Sequence, residues 1–279
     1  MRAIGLAMIL AVGLPAVAGE MRVSRDVAYA DPKTERQTLD VYAGEGARGR
    51  PDVWIHSGGW QAGDKKDVGH KPRAFVDRGY VLVSVNYRLL KDGVTIGEMA
   101  QDVAAALRWV HDHVADHGGD PKAICVTGHS AGAQLAALVC TDDRYFKGVK
   151  LDLTFVRASV PVDGDTYDVP MQIATVEERR AGIYRKKFGV EASRRERSAV
   201  THAAKGKDIP PFLILHVAGH AETRAQSDRL AVVLRDAGVS SVALPIEGKT
   251  HVTLNADLGQ PDDKATAAMF EFFAEATGR

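Results

Sequence analysis

A serine flanked by glycines, "GHSAG" at residues 128–132, is the first group in this 279-residue chain that could do chemistry. The pattern G-x-S-x-G is short, and average glycine and serine usage would place it by chance in about one chain in ten of this length. Its neighbours decide its meaning. The apolar run "AICVTG" precedes it, and the small and apolar run "AGAQLAALVC" follows. A strand turning sharply into a helix there would expose the Ser130 hydroxyl at the carboxyl edge of a sheet, as a nucleophile elbow requires. The first turn of that helix would also place partial positive charge near a developing oxyanion.

A second stretch agrees with the first. "HSGGW" at residues 56–60 follows the apolar run "DVWI". Consecutive glycines let backbone N–H groups converge, so Gly58 and Gly59 are candidate oxyanion donors. The N–H of Ala131, the residue after the serine, would join them.

These groups need a scaffold. Apolar runs rich in β-branched residues alternate with helical patterns: "VAYAD", "QTLDVYAG", "DVWIHSGG", "YVLVSVNYRL", "AICVTGHS", "VRASVPVDG", "PFLILHVAG" and "VALPIEG" read as strands. "GEMAQDVAAALRWVHDHVADHGGDP", "AGAQLAALVCTDD", "QSDRLAVVLRDAGV" and "PDDKATAAMFEFFAEATG" read as helices. The alternation predicts an α/β fold, a mostly parallel central sheet with helices on both faces and antiparallel leading strands. Between Gly164 and Gly206 lies a charged segment too long for a simple connection, read as a small cap insertion. Its clusters "EERR" and "SRRERS" read as solvated helix faces.

A general base belongs behind the last strand, and "GKTHVTLN" places His251 there. The other histidines have simpler readings. His111, His113 and His117 share a polar helix with Asp112 and Asp116, and His56 reads as ordering its own loop.

Several stretches together resemble the α/β-hydrolase carboxylesterases related to hormone-sensitive lipase, feruloyl esterases and kynurenine formamidases. They are "HSGGWQAGDK", "SVNYRL", "DPKAICVTGHSAGAQLAAL", "YDVP", "PPFLILH", the "QS" pair at Gln226 and "THVTLN". The resemblance implies the α/β-hydrolase fold and hydrolysis of esters or formamides with no cofactor. It makes Ser130 the nucleophile and His251 the base. Ser57 departs from the family's usual H-G-G-G-W, leaving Gly58 and Gly59. The family also keeps an aspartate in the loop after "PFLILH", where Gly219 stands here. The nearest carboxylate is Glu222, the expected third member of a triad. Asp163 and Asp165 in "PVDGD" are its competitors, and a site without a functional acid is the third reading.

The leader "MRAIGLAMILAVGLPAVAGE" has an early arginine, a short apolar run and a small-x-small site. It predicts a signal peptide over residues 1–18, a mature domain over 19–279 and a secreted or periplasmic location. Export favours environmental esters, such as acetylated or feruloylated polysaccharide fragments. With 36 basic and 36 acidic residues the formal charge is zero, which speaks against a nucleic-acid partner. No apolar run after the leader is long enough to span a membrane. Cys125 and Cys140 fall on a strand and a packed helix, too far apart for a disulfide, and are expected as free thiols. A small-molecule ester is therefore the expected partner. An arylformamidase or peptidase on the same fold, and a catalytically weak binding protein, stay open.

Overall fold

The computed structural model describes residues 20–31, 34–46 and 49–278, so the expected leader lies outside the described residues. The strands are β1 (Met21–Ala28), β2 (Thr38–Gly44), β3 (Pro51–Ile55), β4 (Val81–Val85), β5 (Ile124–His129), β6 (Val156–Val162), β7 (Phe212–Val217) and β8 (Ser241–Ile246). They form one sheet in the order β1-β2-β4-β3-β5-β6-β7-β8. β1, β2 and β4 pair antiparallel, and every other neighbour is parallel. "PDVWI" and "VLVSV" are buried along their whole length, as central strands covered on both faces must be.

The alternation of side chains sorts these strands onto two cores. Val53, Ile55 and Val126 face α2 (Ile96–His113) and α3 (Ala131–Thr141), which have α1 (Lys71–Val76) before them and α4 (Arg144–Gly148) after. Trp54, Leu82, Val160 and Leu215 point the other way, toward Phe75 of α1 and helix α11 (Lys264–Thr277). Helix starts follow local chemistry. Thr95 and Glu98 form a capping box at the start of α2, and Asp263 accepts the Thr266 N–H at 2.8 Å to start α11. Cys125 in β5 and Cys140 in α3 are buried and unpaired. No described helix is long and apolar enough to cross a membrane.

The opening strand differs from the expectation. It runs over Met21–Ala28 rather than residues 27–31, with a register shift between Ser24 and Val27 where Asp26 takes a positive φ of 54°. That bulge interrupts the alternation that would have revealed the strand in the sequence.

Between β6 and β7 the chain makes four short helices, α5 (Val169–Thr175), α6 (Glu178–Phe188), α7 (Glu191–Glu196) and α8 (Ala199–His202). They occupy the segment expected as a cap. After β7 come α9 (Ala221–Asp236), then β8 and α10 (His251–Ala256).

Asp52 is a cost built into the middle of this sheet. It is fully buried on β3, one carboxylate oxygen accepts the Thr127 hydroxyl at 2.5 Å, and the other has no partner among the described residues. Burial pushes its carboxyl up to about 8, only partly offset by Thr127. The unfolded chain releases this proton near the ordinary carboxyl value of about 4, whereas the folded chain keeps it. Folding stability should therefore fall as pH rises from about 4 to about 8, by about 1.4 kcal/mol per unit from this group. Asp52→Asn, which mimics the protonated acid, should flatten that decline and raise the melting temperature at pH 8. Urea unfolding at pH 5 and pH 8 measures it. An equal loss of stability in both proteins would show that Asp52 is not the source.

Candidate active site

The elbow forms where β5 ends. Ser130 has φ 55° and ψ −115°, a conformation that L-residues rarely hold, and its N–H donates to the Val162 carbonyl at 2.9 Å. Such strain persists only where the surroundings enforce it. A Cβ at Gly132 would lie 2.1 Å from the Ile55 carbonyl oxygen, so α3 is pressed against the end of β3 more closely than any side chain allows. The sheet edge and the helix together hold the Ser130 hydroxyl out of the turn.

His251 is the first residue of α10, placed by a Thr250–Thr253 capping box. The Ser130 hydroxyl donates to its Nε2 at 3.0 Å, and its Nδ1–H donates to Asp163 Oδ2 at 2.7 Å. Asp163 follows β6 directly, is fully buried and has a positive φ of 51°. Its other oxygen accepts the Val217 N–H at 2.9 Å. Burial pushes its carboxyl up, but bonds from His251, the Val217 N–H and the Thr223 hydroxyl outweigh this and hold it below the ordinary value. The acid is thus kept ionised beside the imidazole.

The expectation for the acid needs correction here. Glu222 does not touch His251. The sequence pattern starts the helix near Gln226, whereas α9 begins at Ala221 and carries Glu222 on its first turn. There its carboxylate binds the Arg180 guanidinium and accepts from the Gln172 amide at 3.1 Å. Gly219 lies exposed, with open space where a Cβ would stand, and carries no side chain to hold the imidazole. Asp165 accepts from the Tyr184 hydroxyl instead of His251. Of the three candidate carboxylates, Asp163 alone reaches the base.

The glycine loop comes to the same place. Gly59 and Ser130 line one cavity of about 180 Å³. Gly58 turns the loop at φ 124°, where a Cβ would sit 2.0 Å from the Ala62 carbonyl oxygen, and its own carbonyl accepts the Gln61 and Ala62 N–H groups. Among the described residues the N–H groups of Gly58, Gly59 and Ala131 have no protein acceptor. Gln134 of α3 braces the loop, accepting the Trp60 indole N–H at 3.1 Å and donating to the Arg197 carbonyl at 2.9 Å. His56 orders its own turn, as expected, with Nδ1–H donating to the Ser57 carbonyl at 2.7 Å. Burial lowers its pKa to about 4, so it stays neutral.

His129, the residue before the serine, carried no signal in the sequence. It is buried, its Nε2–H donates to the His251 carbonyl at 3.0 Å, and burial, then the nearby His251, lower its pKa to about 3. A neutral His129 therefore anchors the loop that carries the base. His129, Asp163 and His251 offer donor atoms within 4.8 Å of one another, a spacing that could hold a metal ion. Two of these residues, His251 and Asp163, are already hydrogen-bonded to each other. A larger groove of about 660 Å³ beside α2 and α4 contains neither Ser130 nor His251.

A sheet of this strand order, with a strained serine between its fifth strand and the following helix, defines the α/β-hydrolase class of fold. Comparison with known proteins narrows the class. The BD-FAE family model matches residues 39–160. The carboxylesterase NlhH of Mycobacterium tuberculosis is 31% identical over 239 residues, covering 81% of this chain and 70% of that protein. The probable carboxylic ester hydrolase LipM of the same organism is 34% identical over 174 residues, 58% of this chain. The chain spans only 39% of the length of LipM. The crystal structure of esterase B from Lactobacillus rhamnosis has the same fold, with a TM-score of 0.77, 21% identity and coverage of 94% of this chain and 88% of that one. The chain belongs to the α/β-hydrolase carboxylesterase family.

Proposed function

We propose that the protein is an exported serine carboxylesterase that hydrolyses small carboxylic esters through an acyl-enzyme. The observation that carries this is the unbroken chain of hydrogen bonds from Ser130 through His251 to Asp163. In this reading His251 Nε2 takes the hydroxyl proton as Ser130 Oγ attacks the ester carbonyl. The N–H groups of Gly58, Gly59 and Ala131 hold the oxyanion. Collapse breaks the ester C–O bond, and His251 returns the proton to the leaving alcohol. Water then attacks the acyl-enzyme with His251 as base, releasing the carboxylic acid and restoring Ser130. Asp163 keeps the Nδ1 proton in place and stabilises the imidazolium throughout.

A cavity of about 180 Å³ favours short acyl groups. A screen of nitrophenyl esters from acetate to octanoate should show turnover highest at acetate to butyrate and lost by octanoate. No turnover of any ester by purified protein would overturn the reading.

Export rests on the leader alone. Protein recovered from an exporting bacterial host should begin at Gly19 by N-terminal sequencing, since the small-x-small site ends at Ala18. Finding Met1 retained on the exported form would refute it.

A further inference from the structure

Helix α6 lays one face over the nucleophile. Arg180, Ile183, Tyr184 and Lys187 follow helical spacing, and all four line the cavity that holds Ser130. The arginine belongs to "EERR", expected as a solvated face, so the cap brings inward a charge that the sequence pattern places outside. The two cations differ in what surrounds them. Arg180 is neutralised, since its guanidinium binds Glu222 and stands 3.8 Å from Asp165. Lys187 has no carboxylate within 4.0 Å among the described residues. Its ammonium donates to the Gly59 carbonyl at 3.1 Å and stands 5.1 Å from the Trp60 ring centre.

An ammonium has three donors, and the Gly59 carbonyl uses one of them. The remaining donors belong to a cation beside an aromatic wall, in a cavity whose lining holds two cations and one carboxylate, Asp165. Burial draws the Lys187 pKa below the usual lysine value, and the field of Asp165 offsets this only in part. A ligand bearing a carboxylate would supply the missing partner. An apolar acyl chain would cover this half-buried cation without compensating its charge.

Building on the esterase reading, we infer that Lys187 selects substrates: short esters carrying a carboxylate a few bonds from the scissile carbonyl, as in half-esters of small dicarboxylic acids. Ser130 performs the same ester cleavage on these, with the distal carboxylate held by Lys187 and unchanged in the product.

The test compares monomethyl succinate with its neutral isostere, the methyl ester of succinamic acid, following methanol release at low salt. The wild-type protein should favour the anionic ester about ten- to hundred-fold in kcat/KM, mostly through KM, the range expected for a hydrogen bond to a charged group. Lys187→Met should bring the ratio near one, and Lys187→Arg should keep most of it. Rising salt should lower the wild-type ratio, a readout that needs no variant to fold. A wild-type ratio of one or less, with both esters cleaved in a Ser130-dependent way, would overturn this inference and leave the esterase reading standing. If no ester is cleaved at all, nitrophenyl acetate included, both fall.

Discussion

Replacing Ser130 with alanine should lower ester turnover by about a million-fold, the scale seen when a triad nucleophile is removed. The same substitution should abolish labelling by a fluorophosphonate probe, because no other hydroxyl is hydrogen-bonded to His251 among the described residues. Stability should change little. The strained φ of 55° is a property of the turn, equally awkward for alanine and serine, and the packing of Gly132 against β3 is untouched. Unchanged thermal unfolding beside lost activity would assign the loss to chemistry. His251→Ala should cost nearly as much, since the residues act as one unit. A Ser130→Ala protein that kept a tenth of wild-type turnover would mean that the elbow is not where the reaction occurs.

The second large effect concerns the acid. Asp163→Asn should reduce turnover about ten-thousand-fold, whereas Glu222→Gln should cost less than about ten-fold. The asymmetry follows from what each carboxylate touches. Asp163 accepts the His251 Nδ1–H at 2.7 Å, which leaves Nε2 free to accept the serine proton. An asparagine amide directed there would favour the other tautomer, with the proton on Nε2 and no base facing Ser130. It would also remove the negative charge that stabilises the imidazolium. Glu222 instead faces Arg180 and Gln172, so its loss frees a guanidinium at the cavity wall without moving the base. Steady-state rates on nitrophenyl acetate for both variants decide the matter. A crippled Glu222→Gln beside an active Asp163→Asn would mean that α9 and α10 rearrange during the reaction.

The sequence by itself determined what is local. A nucleophile elbow is built from a handful of consecutive residues, strand, glycine, serine and small-residue helix, so Ser130 could be read directly. The same holds for the glycine loop and for His251 behind the last strand. The order of strands and helices was legible because buried parallel strands and amphipathic helices each print their own periodicity.

Only the tertiary structure decided which acid meets the histidine. Asp163 and His251 are 88 residues apart, and their contact depends on β6 lying between β5 and β7. Glu222 stands nearer to the place where the family keeps its acid, yet an early start to α9 and Arg180 of α6 draw it away. The helix start escaped the periodicity because "AETRA" contributes little apolar signal ahead of Gln226. His129 and Lys187 were hidden for another reason. The work of a side chain that bonds across the fold is set by which distant backbone or charge the folded chain brings to it, and no spacing within the sequence records that distance.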